Sequence, residues 1–329
     1  MSLFTRHAAG ILALGFLALH LPSLPSSLED VDSINFALGL RDFDVAQHQP
    51  HPPGYPLFIL AASGVNALVS SESHALAVIG IVAGALSAFS LTALFGALDL
   101  QRRSGGAATA ATWLAVTAPL FWVTAARPLS DVAGLAAALV VQALILRATR
   151  SRQLVVAAAC AGFAVGVRSQ VVWLTLPLLL FAMLRPPFRG WRPALAVALT
   201  YPAAALLWGV PLLMLTGGPA AYWQVLSNQG AEDLSGVVML WTTPTARQLA
   251  SALYQSFVAP WALWQLAAVT IAFAIVGIAR LASQARPALL TLVVAYGPYF
   301  VFNLLFQETA TTRYALPLVV PLAYLTAQG

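Results

Sequence analysis

Residues 29–56, EDVDSINFALGLRDFDVAQHQPHPPGYP, hold five of the chain's eleven acidic residues, two of its five histidines and four of its 21 prolines. Carboxylates and imidazoles move protons and hold cations, and beside an apolar body they are costly unless water or a polar ligand solvates them. The rest of the chain is such a body, with 60% hydrophobic and 8% charged residues. Glu29, Asp30 and Asp32 suit a general base acting on an acceptor hydroxyl, in the order Asp32, Asp30, Glu29. Asp30 and Asp32 could also share a divalent metal through oxygen ligands. A plain helix start explains the same acids, because they favour the positive end of the helix dipole. Ser26 or Ser27 is then the expected cap, and Ile34, Phe36, Ala37, Leu38 and Leu40 the apolar face.

The prolines that follow fix φ and bar a helix through 50–56. His48 and His51 are therefore expected on a stiff extended strip that turns their rings to different faces, which argues against a two-histidine zinc site. Either ring could bind phosphate or orient the acid, and exposure at an interface explains them equally well. Three arginines, Arg127, Arg168 and Arg313, sit at ends of apolar segments, where each costs about 2.5 kcal/mol or more before snorkelling. Arg127 precedes Asp131 by four residues, the spacing of an ion pair at a helix start. Arg168 and Arg313 have no acid close in sequence, next to Gln170 and Tyr314, and are the expected grips on an anionic group, because a guanidinium forks onto phosphate.

The elements that must position these groups are membrane helices. Mean hydropathy is +0.83, and apolar segments recur at 8–22, 54–70, 76–98, 106–124, 131–148, 154–167, 170–184, 193–215, 259–279, 287–306 and 315–329. All sixteen basic residues are arginine. Most lie in linkers between the segments, with no basic cluster interleaved with aromatics, which excludes a nucleic-acid partner. Arg102/Arg103, Arg147/Arg150/Arg152, Arg185/Arg189/Arg192 and Arg280/Arg286 share the cytoplasmic side with Arg6 by the positive-inside rule. That parity fails if 54–70 crosses the membrane and holds if it lies within one long outer loop, 23–75. An all-α polytopic bundle of about ten spans follows, as one domain over 1–329, with a helical first outer loop and a second outer loop at 216–258. Within the second loop, 228–236 reads as a lid or a plain connection and 245–257 as an amphipathic run. The first segment resembles a signal peptide and is expected to stay as the first span. The last span is short, as a shortened chain would leave it. Cys160 excludes an intrachain disulfide and reads as an inert thiol.

The acids after the first span, followed by His51-Pro52-Pro53-Gly54-Tyr55-Pro56 at the start of an apolar helix, resemble the motifs of the GT-C class of polytopic glycosyltransferases. The resemblance is closest to the branch holding protein O-mannosyltransferases and lipid-modifying aminoarabinose transferases. It implies a polyprenyl-phosphate-sugar donor, a lipid, glycan or protein acceptor, and an extracytoplasmic site in a bacterial inner membrane, with inversion at the anomeric carbon. Asp30/Asp32 match the acidic motif, although E-D-V-D is not a plain adjacent pair. Donor-side residues are then His48, His51, Tyr55, Arg127, Asp131, Arg168, Arg313 and Tyr314. The alternative is a transporter or lipid flippase; ionisable groups gathered at one face, with no internal repeat, weigh against it.

Overall fold

The computed structural model describes residues 3–100 and 106–329, so Arg102 and Arg103 lie outside the described residues. Fifteen α-helices carry the described chain: α1 Leu3–His20, α2 Val31–Arg41, α3 Pro56–Val69, α4 Glu72–Leu100, α5 Ala107–Val116, α6 Pro119–Ala126, α7 Asp131–Arg147, α8 Ser151–Val167, α9 Val171–Met183, α10 Trp191–Leu215, α11 Pro219–Gly236, α12 Ala246–Phe257, α13 Trp264–Gln284, α14 Arg286–Phe306 and α15 Leu316–Gln328. No strand occurs among the described residues; Asp44 and Gln49 form one isolated bridge.

Four helices, α4, α10, α13 and α14, are long and apolar enough to cross a membrane, and α5 with α6, bent by 51°, qualifies as a fifth, broken span. The chain is an integral membrane protein. Lipid tails are as apolar as leucine, so helices here hold together by close packing rather than by hiding from water. Accordingly α4 runs through the centre against α1, α5 and α7 through fully buried Ala88, Leu91 and Phe95. At the crossing of α13 and α15, a Cβ on Gly277 would stand 2.0 Å from the Leu325 carbonyl oxygen, so only glycine fits.

Helix α3 is 14 residues, about 21 Å at 1.5 Å per residue, against about 30 Å of hydrocarbon. Phe58, Ile59 and Ala62 are buried where it packs on α2, α4 and α8, while Leu60 and Leu68 face outward. The polar groups gather at two opposite ends of the bundle. At one, Asp99 accepts from Tyr324 Oη (2.9 Å), Gln328 Nε2 (3.1 Å) and the Ala108 amide (3.0 Å), and Arg185 caps the Ile145 carbonyl at 2.7 Å. At the other lie Arg127, Arg168, Arg313 and the 29–56 acids.

Local structure departs from expectation in three places. Helix α2 is capped by Asp30, not by Ser26 or Ser27: its Oδ1 accepts the Ser33 amide (2.9 Å), and Ser33 Oγ accepts the amides of Glu29 and Asp30 (both 3.0 Å). Its buried face holds Phe36 and Ala37, whereas Ile34 points out. The proline segment is folded rather than extended: the Gly54 amide donates to the His51 carbonyl at 3.0 Å, and His48, Gly54 and Tyr55 all take positive φ. Residues 216–258, read as a loop, are largely helical, as α11 and α12, and the amphipathic run expected at 245–257 is α12.

Candidate active site

Four separated pieces of chain meet at the acid-rich end of the bundle. Asp32 sits in the first turn of α2; Ser130 and Asp131 open α7; Arg168 follows α8; Arg313 lies in a 3-10 turn, Thr312–Ala315, before α15. Arg168 Nη1 donates to Ser130 Oγ (2.8 Å) and Nη2 lies 3.1 Å from Asp131 Oδ1. Its stem rests where a side chain on Gly134 would be: a Cβ there would stand 2.7 Å from Arg168 Cβ. Ser130, Asp131 and Gly134 thus form a socket for one arginine. Arg313 Nη2 is ion-paired with Asp32 Oδ2 and reaches Tyr314 Oη (3.1 Å), with its guanidinium 4.9 Å from the Tyr314 ring centre. Its Nη1 stands 3.8 Å from Asp131 Oδ2. Tyr299 Oη, on α14, holds the Tyr314 carbonyl at 2.7 Å.

Asp131, 4% exposed at its side chain, therefore bridges both arginines from behind. Arg168 and Arg313 are not free of acids, as their sequence neighbours suggested; their partners come from other helices. Nor does Arg127 pair with Asp131. It ends α6 in extended backbone, off the helix that Asp131 begins, and its Nε and Nη2 bind Glu29 Oε2 (2.6 Å) and Asp30 Oδ2 (2.9 Å). That second group ties the start of α2 to the end of α6 and does not line the cavity.

The cavity, of 670 Å³, is lined by Asp32, His51, Tyr55, Arg168, Arg313 and Tyr314. His48 does not line it. Gln229 and Asp233 of α11 and Glu308 line it too, so α11 forms part of its wall. A third side is aromatic: Trp173 and Phe302 stack at 5.5 Å and Phe302 meets Phe306 at 6.1 Å. Sequence reading passed over Ser130, Tyr299, Asp233 and Glu308. The Ser-Asp-x-x-Gly spacing of residues 130–134 at a helix start was the one available signal for the arginine socket.

The electrostatics follow from this crowding. Burial pushes the Asp32 carboxyl up, but the Arg313 guanidinium, with help from His51 and Arg168, outweighs it and holds the group below the ordinary 3.8. Burial pushes His51 down, Asp32 at 3.8 Å partly restores it, and the two arginines lower it again, so its pKa lies below the ordinary 6.5. Burial opposes charge on Arg313, yet Asp131, Tyr314 and Asp32 raise its pKa overall. At neutral pH the site holds ionised Asp32 and Arg313 and a neutral His51. Its ring packs 5.0 Å from both Phe36 and Tyr55, and Nδ1 is buried without a partner. Because the unfolded chain binds the His51 proton more readily, stability falls as pH drops below 6.5 towards the folded-state value. Thermal unfolding scans should show that loss as the pH falls below 6.5, and His51→Gln should shrink it.

Asp30 and Asp32, the two acids that could share a divalent metal, have other partners in this arrangement. Asp30 is committed to Ser33 and Arg127, and Asp32 to Arg313. Among the described residues no three His, Cys, Asp or Glu side chains group closely enough to hold an ion.

No protein-family model matches this sequence, and no curated protein matches it. Solved structures do match its shape, two of them as follows. ArnT from Cupriavidus metallidurans bound to undecaprenyl phosphate aligns with a TM-score of 0.60 at 14% identity, over 98% of this chain and 59% of that one. The Archaeoglobus fulgidus oligosaccharyltransferase, tethered to an acceptor peptide containing the NVT sequon, aligns with a TM-score of 0.53 at 13% identity, over 98% and 49%. Both are GT-C glycosyltransferases. The chain has the GT-C fold. At these identities the likeness concerns the fold, and this GT-C bundle spans about half to three-fifths of those proteins' lengths.

Proposed function

We propose that this GT-C bundle is a membrane glycosyltransferase that moves a sugar from a polyprenyl-phosphate carrier to an extracytoplasmic lipid, glycan or protein, in a bacterial inner membrane. One observation carries the reading: Asp32, Arg168 and Arg313 line a single cavity with an aromatic wall at the acid-rich end of the bundle, and Asp131, outside that lining, pairs with both arginines. The wall suits an isoprenoid and the guanidinium pair suits its phosphate. In the transfer, the acceptor oxygen bonds to the anomeric carbon as the bond from that carbon to the phosphate oxygen breaks. The bonding pair leaves with the phosphate, and the acceptor proton goes to Asp32. Arg168 and Arg313 stabilise the charge that grows on the leaving phosphate, the larger electrostatic task.

A phosphate that takes Arg313 from Asp32 also removes the main influence that keeps this carboxylate a weak base. Binding therefore activates the base. Glu29, Asp30 and Arg127 set the α2 start that carries Asp32, and His51 and Tyr55 shape the wall beside it. The charge segregation supports ten crossings, with α3 lying against the outer face.

Undecaprenyl phosphate titrated against the protein in nanodiscs tests the reading. Arg168→Gln and Arg313→Gln should each weaken binding about 10- to 100-fold, as expected for loss of charge-assisted hydrogen bonds. Unchanged affinity in both variants would overturn it, and uptake into vesicles without transfer would favour a transporter.

A further inference from the structure

Helix α12 is amphipathic in the wrong sense for a helix on a water-soluble surface. Its inward face is polar: Gln248, Ser251, Gln255 and Ser256. The first three meet the chain between α14 and α15, and Ser256 meets α14 itself. Thr309 Oγ1 donates to Gln248 Oε1 (2.8 Å), Ser251 Oγ donates to the Thr309 carbonyl (3.0 Å), and Thr312 Oγ1 donates to Gln255 Oε1. Asn303 Nδ2 donates to Ser256 Oγ at 3.0 Å. The outward face is apolar, with Leu249 40%, Leu253 38% and Tyr254 54% exposed. A surface helix facing water shows the reverse pattern.

The apolar stripe does not stand alone. It continues into exposed Trp241 and into Leu263 and Trp264 at the start of α13, and from there along the outward faces of α13 and α14. Those helices are long and apolar enough to cross a membrane. Trp and Tyr beside such a surface mark the level of the lipid headgroups. At 12 residues, about 18 Å, α12 is short for a crossing, and its apolar outward face suits a helix lying in the plane of the interface.

We propose that α12 is a lipid-seated positioning element for Arg313: its Leu249–Leu253–Tyr254 stripe sits in the outer leaflet while its inward amides fix Thr309 and Thr312, the residues leading into the arginine. The inference rests on the reading that Arg313 grips a lipid phosphate. Gln255 and Thr312 are then positioning residues: they touch no substrate, but their bond sets the register of the turn that aims the guanidinium. Seating in lipid keeps water from competing for that bond, so the membrane itself helps order the site.

Two arms test this. In nanodiscs of phosphatidylethanolamine and phosphatidylglycerol, Thr312→Val and Gln255→Leu should each weaken undecaprenyl phosphate binding about three- to tenfold. The double variant should be no worse than either single, because both remove the same bond. Thr312→Ser should bind like wild type, which a general loss of packing would not allow. In the second arm, a nitroxide on Leu253→Cys, in a Cys160→Ala background, should be reached by oxygen in preference to a water-soluble nickel chelate. If Arg313→Gln abolishes binding but neither Thr312→Val nor Gln255→Leu changes it, the positioning role is wrong and the phosphate reading stands. If Arg313→Gln itself changes nothing, the phosphate reading fails and the inference with it. A nitroxide at position 253 reached chiefly by the nickel chelate removes the lipid seat.

Discussion

Asp32→Asn should lower sugar transfer by about 10²–10⁴-fold, the range for losing a general base, while undecaprenyl phosphate binds as well as before or more tightly. The two effects separate because Asp32 has two tasks. In the free protein it neutralises Arg313, so an incoming phosphate must compete with it for the same guanidinium. The amide removes that competitor and the proton acceptor together. Asp30→Asn should behave differently, since Asp30 caps α2 and pairs with Arg127 outside the cavity. Its loss should act through a slackened helix start, costing about 1 kcal/mol, with a correspondingly smaller effect on transfer. Steady-state transfer assays with labelled polyprenyl-phosphate sugar, run beside binding titrations, decide the matter. Normal transfer by Asp32→Asn at normal abundance would remove Asp32 from the mechanism.

Asp131→Ala should produce the largest loss of stability, about 3–5 kcal/mol. Asp131 is the shared counter-ion of Arg168 and Arg313, whose side chains are only 11% and 13% exposed. Without it Arg168 keeps only Ser130 as a partner, and two like charges face each other with a single carboxylate, Asp32, between them and cancellation. The Arg127 group provides the contrast. Arg127 and Glu29 are 26% and 41% exposed, so Arg127→Gln should cost no more than about 1 kcal/mol. Thermal unfolding in nanodiscs compares the two. Equal, small losses would mean that the buried pairs are not what holds the outer end together.

Much of this site was legible in the chain before any coordinates. The acid-rich loop after the first helix and the arginines that gather with it come from charge placed where lipid makes charge expensive. Partner choice was not legible. Asp30 meets Arg127 across 97 residues of sequence and Asp32 meets Arg313 across 281, whereas local spacing favoured Arg127 with Asp131. Only the tertiary packing that seats α2 on α3 and α4 brings those pairs together. The same limit hid Tyr299, Asp233 and Glu308, single polar residues on apolar or connecting segments with no spacing to mark them. His48 and His51 were misplaced for a local reason, because proline fixes φ but not the turn that Gly54 and Tyr55 make at positive φ.

The most direct measurement is a cryo-electron microscopy structure of the protein in nanodiscs with undecaprenyl phosphate. The expected density puts phosphate oxygens about 2.7–2.9 Å from guanidinium nitrogens of both Arg168 and Arg313, with α3 flat against the outer leaflet. A lipid phosphate bound elsewhere, with the Asp32–Arg313 pair still closed, would contradict the assignment of this cavity as the place where the sugar leaves its carrier.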